Sequence, residues 1–76
     1  MRENLKKARI NAGMTQKQVA ETVGLKVGSY QQIELGKRIG RIETWDKLED
    51  LFSIHQRILR EISPSLHGTE GNPETY

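Results

Sequence analysis

Residues 16–35, QKQVAETVGLKVGSYQQIEL, form the stretch that most constrains how this chain can fold. Just before it, Thr15 is followed three residues later by Gln18, which is the spacing of a capping box at a helix start. Gly24 comes where that helix would end in a left-handed residue, a conformation that glycine adopts at least cost. A second helical run follows and stops at Gly36. The stretch therefore predicts two short helices joined by a tight turn.

The apolar residues of this stretch have the spacing that two crossing helices require. The first helix turns Val19, Ala20 and Val23 inward, and Ala20 is small where the helices must approach closely. The second helix turns Tyr30 and Ile33 inward. Two short helices packed in this way form a helix-turn-helix. The stretch resembles the helix-turn-helix of the phage repressor and Cro family, which is also called the lambda-repressor-like or XRE family.

This resemblance implies an all-α fold, a compact five-helix lambda-repressor-like DNA-binding domain with the helix-turn-helix at helices two and three. It covers residues 5–62 approximately, and we expect one domain over residues 1–62. Residues 63–76 hold both prolines and show no hydrophobic periodicity, which predicts a disordered tail. The predicted helices span residues 2–12, 16–23, 27–35 and 42–52, and a fifth begins at Ser53 or His55 and runs to about residue 62.

Hydrophobic periodicity supports the first and fourth of these helices. Leu5, Ala8 and Ala12 recur on one face of the first helix. In the fourth helix, Trp45 is in register with Leu48. We therefore expect Trp45 to pack in the core rather than to stack on a nucleic-acid base.

Charge is distributed unevenly between the two halves of the chain. Residues 1–41 carry nine Lys or Arg and three Asp or Glu, which gives a net charge of +6. Residues 42–76 carry three Lys or Arg and seven Asp or Glu, which gives a net charge of −4. The positive half contains the helix-turn-helix. This asymmetry predicts a polyanion on one side of the domain, although an ordinary solvated basic surface would show the same charge.

The second helix of the motif is the predicted recognition helix, which enters the major groove with its N-terminal residues at the base edges. Its two inward residues leave Gly28, Gln31 and Gln32 on the outward face. A glutamine can pair with adenine at N6 and N7, and Val27 in the first turn could meet a thymine methyl. These residues are predicted base contacts, and a merely solvated polar face is the alternative for the glutamines.

Phosphate contacts are predicted on both sides of this helix. Gln16 begins the first helix of the motif, where its amide and the helix N-terminus suit a phosphate, and Lys17 follows it. The loop at residues 36–41, GKRIGR, supplies further cations. They are Lys37, Arg38 and Arg41. The family often has a proline near residue 40, so Gly40 predicts a looser loop.

Two residues depart from the family pattern at the start of the recognition helix. Lys26, itself a predicted DNA contact, stands where a Ser or Thr often caps the helix. Gly28 stands where a side chain usually reaches a base. A glycine weakens a helix interior by roughly 0.5–1 kcal/mol relative to alanine. Together they predict fewer direct base contacts and more dependence on DNA shape, or else a close approach of the Gly28 backbone to DNA.

The resemblance also implies one structural ion pair. In the family, an Arg in the first helix pairs with a Glu near the end of the recognition helix, and Arg9 and Glu34 match those positions. If both are partly buried, they should be paired, because an unpaired buried charge is costly.

Other classes of function have little support in the sequence. The chain has no cysteine, and His55 and His67 lie far apart without carboxylates at metal-ligand spacing. We expect no catalytic residues, metal or cofactor, no membrane span and no small-molecule substrate, and a cytoplasmic location.

These observations predict a sequence-specific regulator of transcription, a repressor in the sense of the family, acting on double-stranded DNA as a homodimer. Apolar residues of the fifth helix that do not close the core are candidates for contact with the second subunit. Three alternatives remain open. The chain could be an antitoxin or a restriction–modification controller with the same fold, or a protein-interaction module that has lost DNA binding.

Overall fold

Five helices make up residues 1–62, the part of the chain that the computed structural model describes. They are α1 (Glu3–Asn11), α2 (Gln16–Val23), α3 (Val27–Glu34), α4 (Ile42–Phe52) and α5 (Gln56–Leu59). No strand occurs in this described part. The predicted all-α fold with five helices in this order is confirmed. The predicted tail at residues 63–76 lies outside the described residues.

Helix α5 is the element whose predicted length was wrong. It is a single turn that ends at Leu59 rather than near residue 62. His55 is its N-cap, since the ring Nδ1 accepts a hydrogen bond from the backbone N–H of Arg57 at 3.1 Å. Ser53, the other predicted start, instead ends α4 in a left-handed conformation with φ of 55°.

The turn between α2 and α3 has the predicted chemistry. The Thr15 hydroxyl accepts from the Gln18 N–H at 3.1 Å, and the Gln18 side chain accepts from the Thr15 N–H at 2.8 Å. Gly24 ends α2 with φ of 79°, and the Leu25 N–H then bonds back to the Ala20 carbonyl at 2.8 Å. The capping box and the left-handed glycine are confirmed, and they fix both ends of α2.

The core lies where α1, α2, α3, α4 and α5 meet, and it contains every inward residue predicted for the helix-turn-helix. Its buried hydrophobic members are Leu5, Ala8, Val19, Ala20, Val23, Tyr30, Ile33, Trp45, Leu48 and Leu59. Ala12 was predicted to join them and is exposed instead. The reason is that α1 ends at Asn11, and the chain turns away through Gly13 with φ of 70°.

Candidate nucleic-acid interface

The last residue of α3 is a buried carboxylate that joins this helix to α1 and α2. Glu34 is only 2% exposed. Arg9 donates to both of its oxygens, from Nε to Oε2 at 2.9 Å and from Nη2 to Oε1 at 3.1 Å. Tyr30 Oη donates to Oε2 at 2.8 Å, and Gln16 Nε2 donates to Oε1 at 3.0 Å. The two predicted pair residues therefore lie in contact, within a larger hydrogen-bonded network.

This network determines the protonation of its members. Burial alone would raise the pKa of Glu34, but the hydrogen bonds from Arg9, Tyr30 and Gln16 outweigh it and lower the pKa below the usual range. The hydrogen bond to Glu34 raises the pKa of Arg9. Burial, with the same carboxylate beside it, raises the pKa of Tyr30. At neutral pH the carboxylate is ionised and the tyrosine is a neutral donor.

The same network extends to the outer face of α3 through Gln16. An ionised carboxylate can only accept, so Gln16 turns its amide nitrogen toward Glu34 and its oxygen away. That oxygen accepts from Gln31 Nε2 at 3.0 Å. Gln31 is exposed, and its amide nitrogen is held toward the start of α2. Gln16 was predicted as a phosphate contact, whereas its side chain here already bonds two residues of α3.

The first turns of α3 are exposed and lightly supported. Val27 is 39% exposed and Gly28 is also exposed, whereas Gln32 is half-buried. Lys26 is the N-cap, and its side chain makes no capping hydrogen bond. A Cβ added to Gly28 would meet no atom within 4 Å. Packing within the domain therefore does not require a glycine at this position.

The loop after α3 presents three exposed cations on a closely packed backbone. Lys37, Arg38 and Arg41 are all exposed. Gly40 has φ of +83°, and a Cβ there would lie 3.1 Å from Cδ1 of Ile33 and 3.3 Å from Nε1 of Trp45. The looser loop predicted from Gly40 stays a prediction, but the Gly40 backbone itself is closely packed in a left-handed conformation. A proline cannot take this conformation, because its ring fixes φ near −65°.

Trp45 supports this loop from the core side. It is 2% exposed, which confirms the predicted core position. Its Nε1 donates to the Ile39 carbonyl at 2.6 Å. The indole thus combines apolar packing with a satisfied N–H, and it fixes the middle of the loop.

Arg2 is a residue whose role sequence reasoning missed, since it was predicted only as the start of the first helix and as one positive charge. Its side chain is 4% exposed and donates to backbone carbonyls of Ile33, Arg38 and Arg60. Its guanidinium carbon lies 5.2 Å from the ring centroid of Trp45, within range of a cation–π contact. No sequence pattern marks this role, because the acceptors are backbone groups of distant segments.

A groove of about 620 Å³ runs between the end of α2, the loop and the start of α4. Its lining residues are Val23, Gly24, Leu25, Ser29, Ile33, Arg38, Gly40, Arg41, Glu43, Thr44 and Lys47. Lys47, which lies in the acidic half of the chain, was not among the predicted contacts.

The sequence model of one protein family, described as helix-turn-helix, matches residues 5–55. The chain belongs to the lambda-repressor-like helix-turn-helix family. The match begins within α1 and ends at the N-cap of α5, so the helix-turn-helix domain includes both helices of the motif and the basic loop. No curated protein and no solved structure matches the chain.

The cations of this helix-turn-helix domain are not all available to a ligand. Arg2 and Arg9 belong to the nine basic residues of the positive half, but the first is buried against carbonyls and the second is paired with Glu34. The exposed cations among the predicted contacts are Lys17, Lys26, Lys37, Arg38 and Arg41. Over residues 1–62, no group of three His, Cys, Asp or Glu could hold a metal ion, and no helix is long and apolar enough to cross a membrane.

Proposed function

We propose that this chain is a transcriptional regulator that recognises a specific double-stranded DNA sequence with α3 in the major groove. Membership in the helix-turn-helix family supports DNA binding and regulation. The observation that carries the finer proposal is the arrangement of α3. Its outer face is uncharged and carries the amides of Gln31 and Gln32 together with Val27, and exposed cations stand before its start and after its end. Uncharged amides suit base edges, and flanking cations suit phosphates.

The contacts divide into two groups under this proposal. The base contacts are Gln31, Gln32 and Val27, with the Gly28 backbone beside them. The phosphate contacts are Lys17, Lys26, Lys37, Arg38, Arg41 and the backbone N–H at Gln16. The side chain of Gln16 bonds Glu34 and Gln31. For that reason its contribution to phosphate binding comes from the helix N-terminus rather than from the amide.

We also propose that the chain acts as a repressor and binds as a homodimer. Two-fold dimers gain affinity by spanning two half-sites of an operator. Several apolar side chains near α5 are exposed in the single chain, with Met1 at 37%, Leu35 at 43%, and Ile58 and Ile62 at 50% each. Met1 and Ile62 both lie beside Gly36, so part of this surface is continuous. A second copy would cover it.

The test is quantitative binding to duplex DNA at several salt concentrations. A site is first selected from a random oligonucleotide library, and fluorescence anisotropy then compares that site with a scrambled duplex. We expect a steep salt dependence on both duplexes, because cations displace counterions from the phosphates. Lys37→Ala and Arg38→Ala should each weaken binding to both duplexes alike and flatten the salt slope by about one unit or less.

The matched control is Arg57→Ala, which removes one exposed cation from α5 in the acidic half of the chain. It should change neither affinity nor salt slope to a comparable extent. If no site is selected and the protein does not bind duplex DNA even at low salt, the result counts against DNA recognition and favours a protein-interaction module. Sedimentation of the protein with an operator tests the dimer, and a stoichiometry of one chain for each operator would contradict it.

A further inference from the structure

We propose that Arg2 is a positioning residue for DNA binding, which holds the basic loop at residues 36–41 where its cations can meet the phosphates. This inference rests on the proposed function. It assigns a role in recognition to a buried side chain outside the helix-turn-helix. The matched family segment begins at residue 5, so Arg2 also lies outside that segment.

The guanidinium of Arg2 joins three separate segments of the chain. Nη1 donates to the Ile33 carbonyl at 2.5 Å and to the Arg38 carbonyl at 2.8 Å, and Nε donates to the Arg60 carbonyl at 3.0 Å. Ile33 lies in the last turn of α3, and Arg60 is the C-cap of α5. Arg38 lies in the basic loop itself. One side chain thus fixes the loop against the ends of two helices.

The chain around Arg2 is fixed to the same place by its backbone. The Arg2 N–H donates to the Glu34 carbonyl at 2.8 Å. Gly36 has φ of +84°, and a Cβ there would lie only 3.3 Å from the Met1 nitrogen. The first two residues therefore pack directly on the point where α3 passes into the loop.

Trp45 completes the support of the loop. It lies under the Arg2 guanidinium and donates to the Ile39 carbonyl, while Arg2 donates to the neighbouring Arg38 carbonyl. Two consecutive loop carbonyls are thus held by two side chains that contact each other. The side chains of Lys37, Arg38 and Arg41 remain exposed. This arrangement leaves the loop backbone fixed and its cations free.

The buried guanidinium of Arg2 is stabilised by backbone carbonyl oxygens, which carry partial negative charge. Helix C-termini carry the negative end of the helix dipole, and hydrogen bonds from a charged donor are stronger than those from a neutral one. If Arg2 is replaced by a residue without a guanidinium, the Arg38 carbonyl loses the hydrogen bond that Nη1 donates. The loop at residues 36–41 must then become ordered when DNA binds. The free-energy cost of this ordering lowers the affinity for DNA.

The experiment is a pair of double-mutant cycles in DNA binding, measured by anisotropy well below the unfolding temperature. Arg2→Met is combined with Lys37→Ala in the loop and, separately, with Lys17→Ala at the start of α2. Arg2→Met should weaken binding on the order of tenfold, although the side chain is too buried to touch DNA. Lys37→Ala should then have a smaller effect than in the wild type, with a coupling of about threefold or more.

Lys17→Ala should weaken binding by the same factor in both backgrounds, because α2 is held by its own capping box. Equal effects of Lys37→Ala in the two backgrounds would overturn the proposal, since a purely structural role gives no coupling specific to the loop. Lys7→Met, which removes an exposed cation from α1, is the charge-matched control for Arg2→Met, and it should leave affinity nearly unchanged. If the wild type itself fails to bind DNA, the proposed function fails, and that outcome is distinct from a missing coupling.

Two further measurements keep the test decisive if Arg2→Met does not fold. Arg2→Lys retains the charge but lacks the fork that reaches several acceptors, so it should show the same coupling. In the wild type, the Nη1 protons of Arg2, which bond the Ile33 and Arg38 carbonyls, should exchange with water much more slowly than those of Arg57, which is exposed. Exchange at equal rates would show that Arg2 does not hold the loop in solution and would overturn the proposal.

Discussion

The two ends of α3 differ in how the rest of the molecule holds them. At the C-terminal end, the Glu34 side chain bonds α1 and α2, and its carbonyl accepts from the Arg2 N–H. At the N-terminal end, Lys26 provides no side-chain cap, and Gly28 has open space around it. The helix is therefore fixed at the end that meets the core and lightly held at the end that would meet bases.

Helix α2 shows that this asymmetry is not a matter of length. Both helices have eight residues, and isolated helices of that size are marginal in water. Yet α2 begins with the reciprocal cap of Thr15 and Gln18 and ends at the left-handed Gly24. The supporting helix is fixed locally at both ends, whereas the recognition helix depends on distant partners at one end only.

The largest expected effect comes from breaking the fixed end. Arg9→Ala leaves a buried carboxylate without its charged partner, and we expect a loss of about 3–5 kcal/mol in the free energy of unfolding. Denaturant unfolding of the wild type and the variant measures it. Arg57→Ala, an exposed cation of α5, is the control and should change stability little.

A double-mutant cycle on Arg9 and Glu34 distinguishes the pair from the separate residues. We expect strong coupling, because the two side chains share two hydrogen bonds. Additive losses in the cycle would mean that the pair does not fix this end of α3 in solution.

Acid should weaken the same end by a smaller amount. The folded-state pKa of Glu34 is lowered relative to the unfolded chain, so its contribution is present above the unfolded pKa and is lost as the pH falls through the folded pKa. The loss is smaller than that from Arg9→Ala, because a protonated Glu34 is neutral. Denaturant midpoints from pH 7 down to pH 2 measure it. Glu34→Gln should flatten this part of the curve, and an unchanged slope would contradict the assignment.

Sequence reasoning found the fixed network only in part. The core of the helix-turn-helix follows from local periodicity, and the pair of Arg9 with Glu34 follows from family resemblance. Arg2 could not be found in either way. Its acceptors lie 31, 36 and 58 residues away in the chain and are backbone carbonyls, which have no residue-specific signal.

Errors at element ends have a similar origin. The predicted fifth helix was too long because the apolar Ile58 and Ile62 continue a helical pattern past Leu59. The pattern itself does not show that the chain leaves the helix at Arg60, where Arg2 holds the carbonyl. The contacts predicted for DNA remain predictions, since they depend on a partner rather than on the fold.

The outer face of α3 offers a test of recognition rather than of stability. Gln32→Ala should cost roughly 1–3 kcal/mol on the specific site and relax preference at one base-pair position. Non-specific affinity should barely change, because no charge is lost. Gln31→Ala should act in the same way but more weakly. Binding to every single-base variant of a selected site measures both, and full wild-type preference in both variants would show that this face does not read bases.

The smallest expected effect comes from strengthening the lightly held end. Gly28→Ala should raise the free energy of unfolding by about 0.5–1 kcal/mol, since the residue is helical and a Cβ meets nothing. Gly13→Ala is the matched control. A Cβ there also has open space, but φ is +70°, so the same substitution should destabilise. A loss of stability at Gly28 would show that this end is more constrained than it looks.

Specific DNA binding by Gly28→Ala separates the two interpretations of this glycine. Unchanged affinity would mean that the position is simply open. Reduced affinity in a more stable protein would mean that the backbone approaches DNA too closely for a methyl group.

Trp45 gives this protein a built-in optical reporter. It is the only tryptophan in the chain, and its indole N–H is bonded to the Ile39 carbonyl beneath the Arg2 guanidinium. Its emission wavelength and intensity therefore depend on the conformation of the basic loop as well as on global unfolding. A change in emission upon addition of duplex, without loss of helical circular dichroism, would record loop movement directly and without an attached dye.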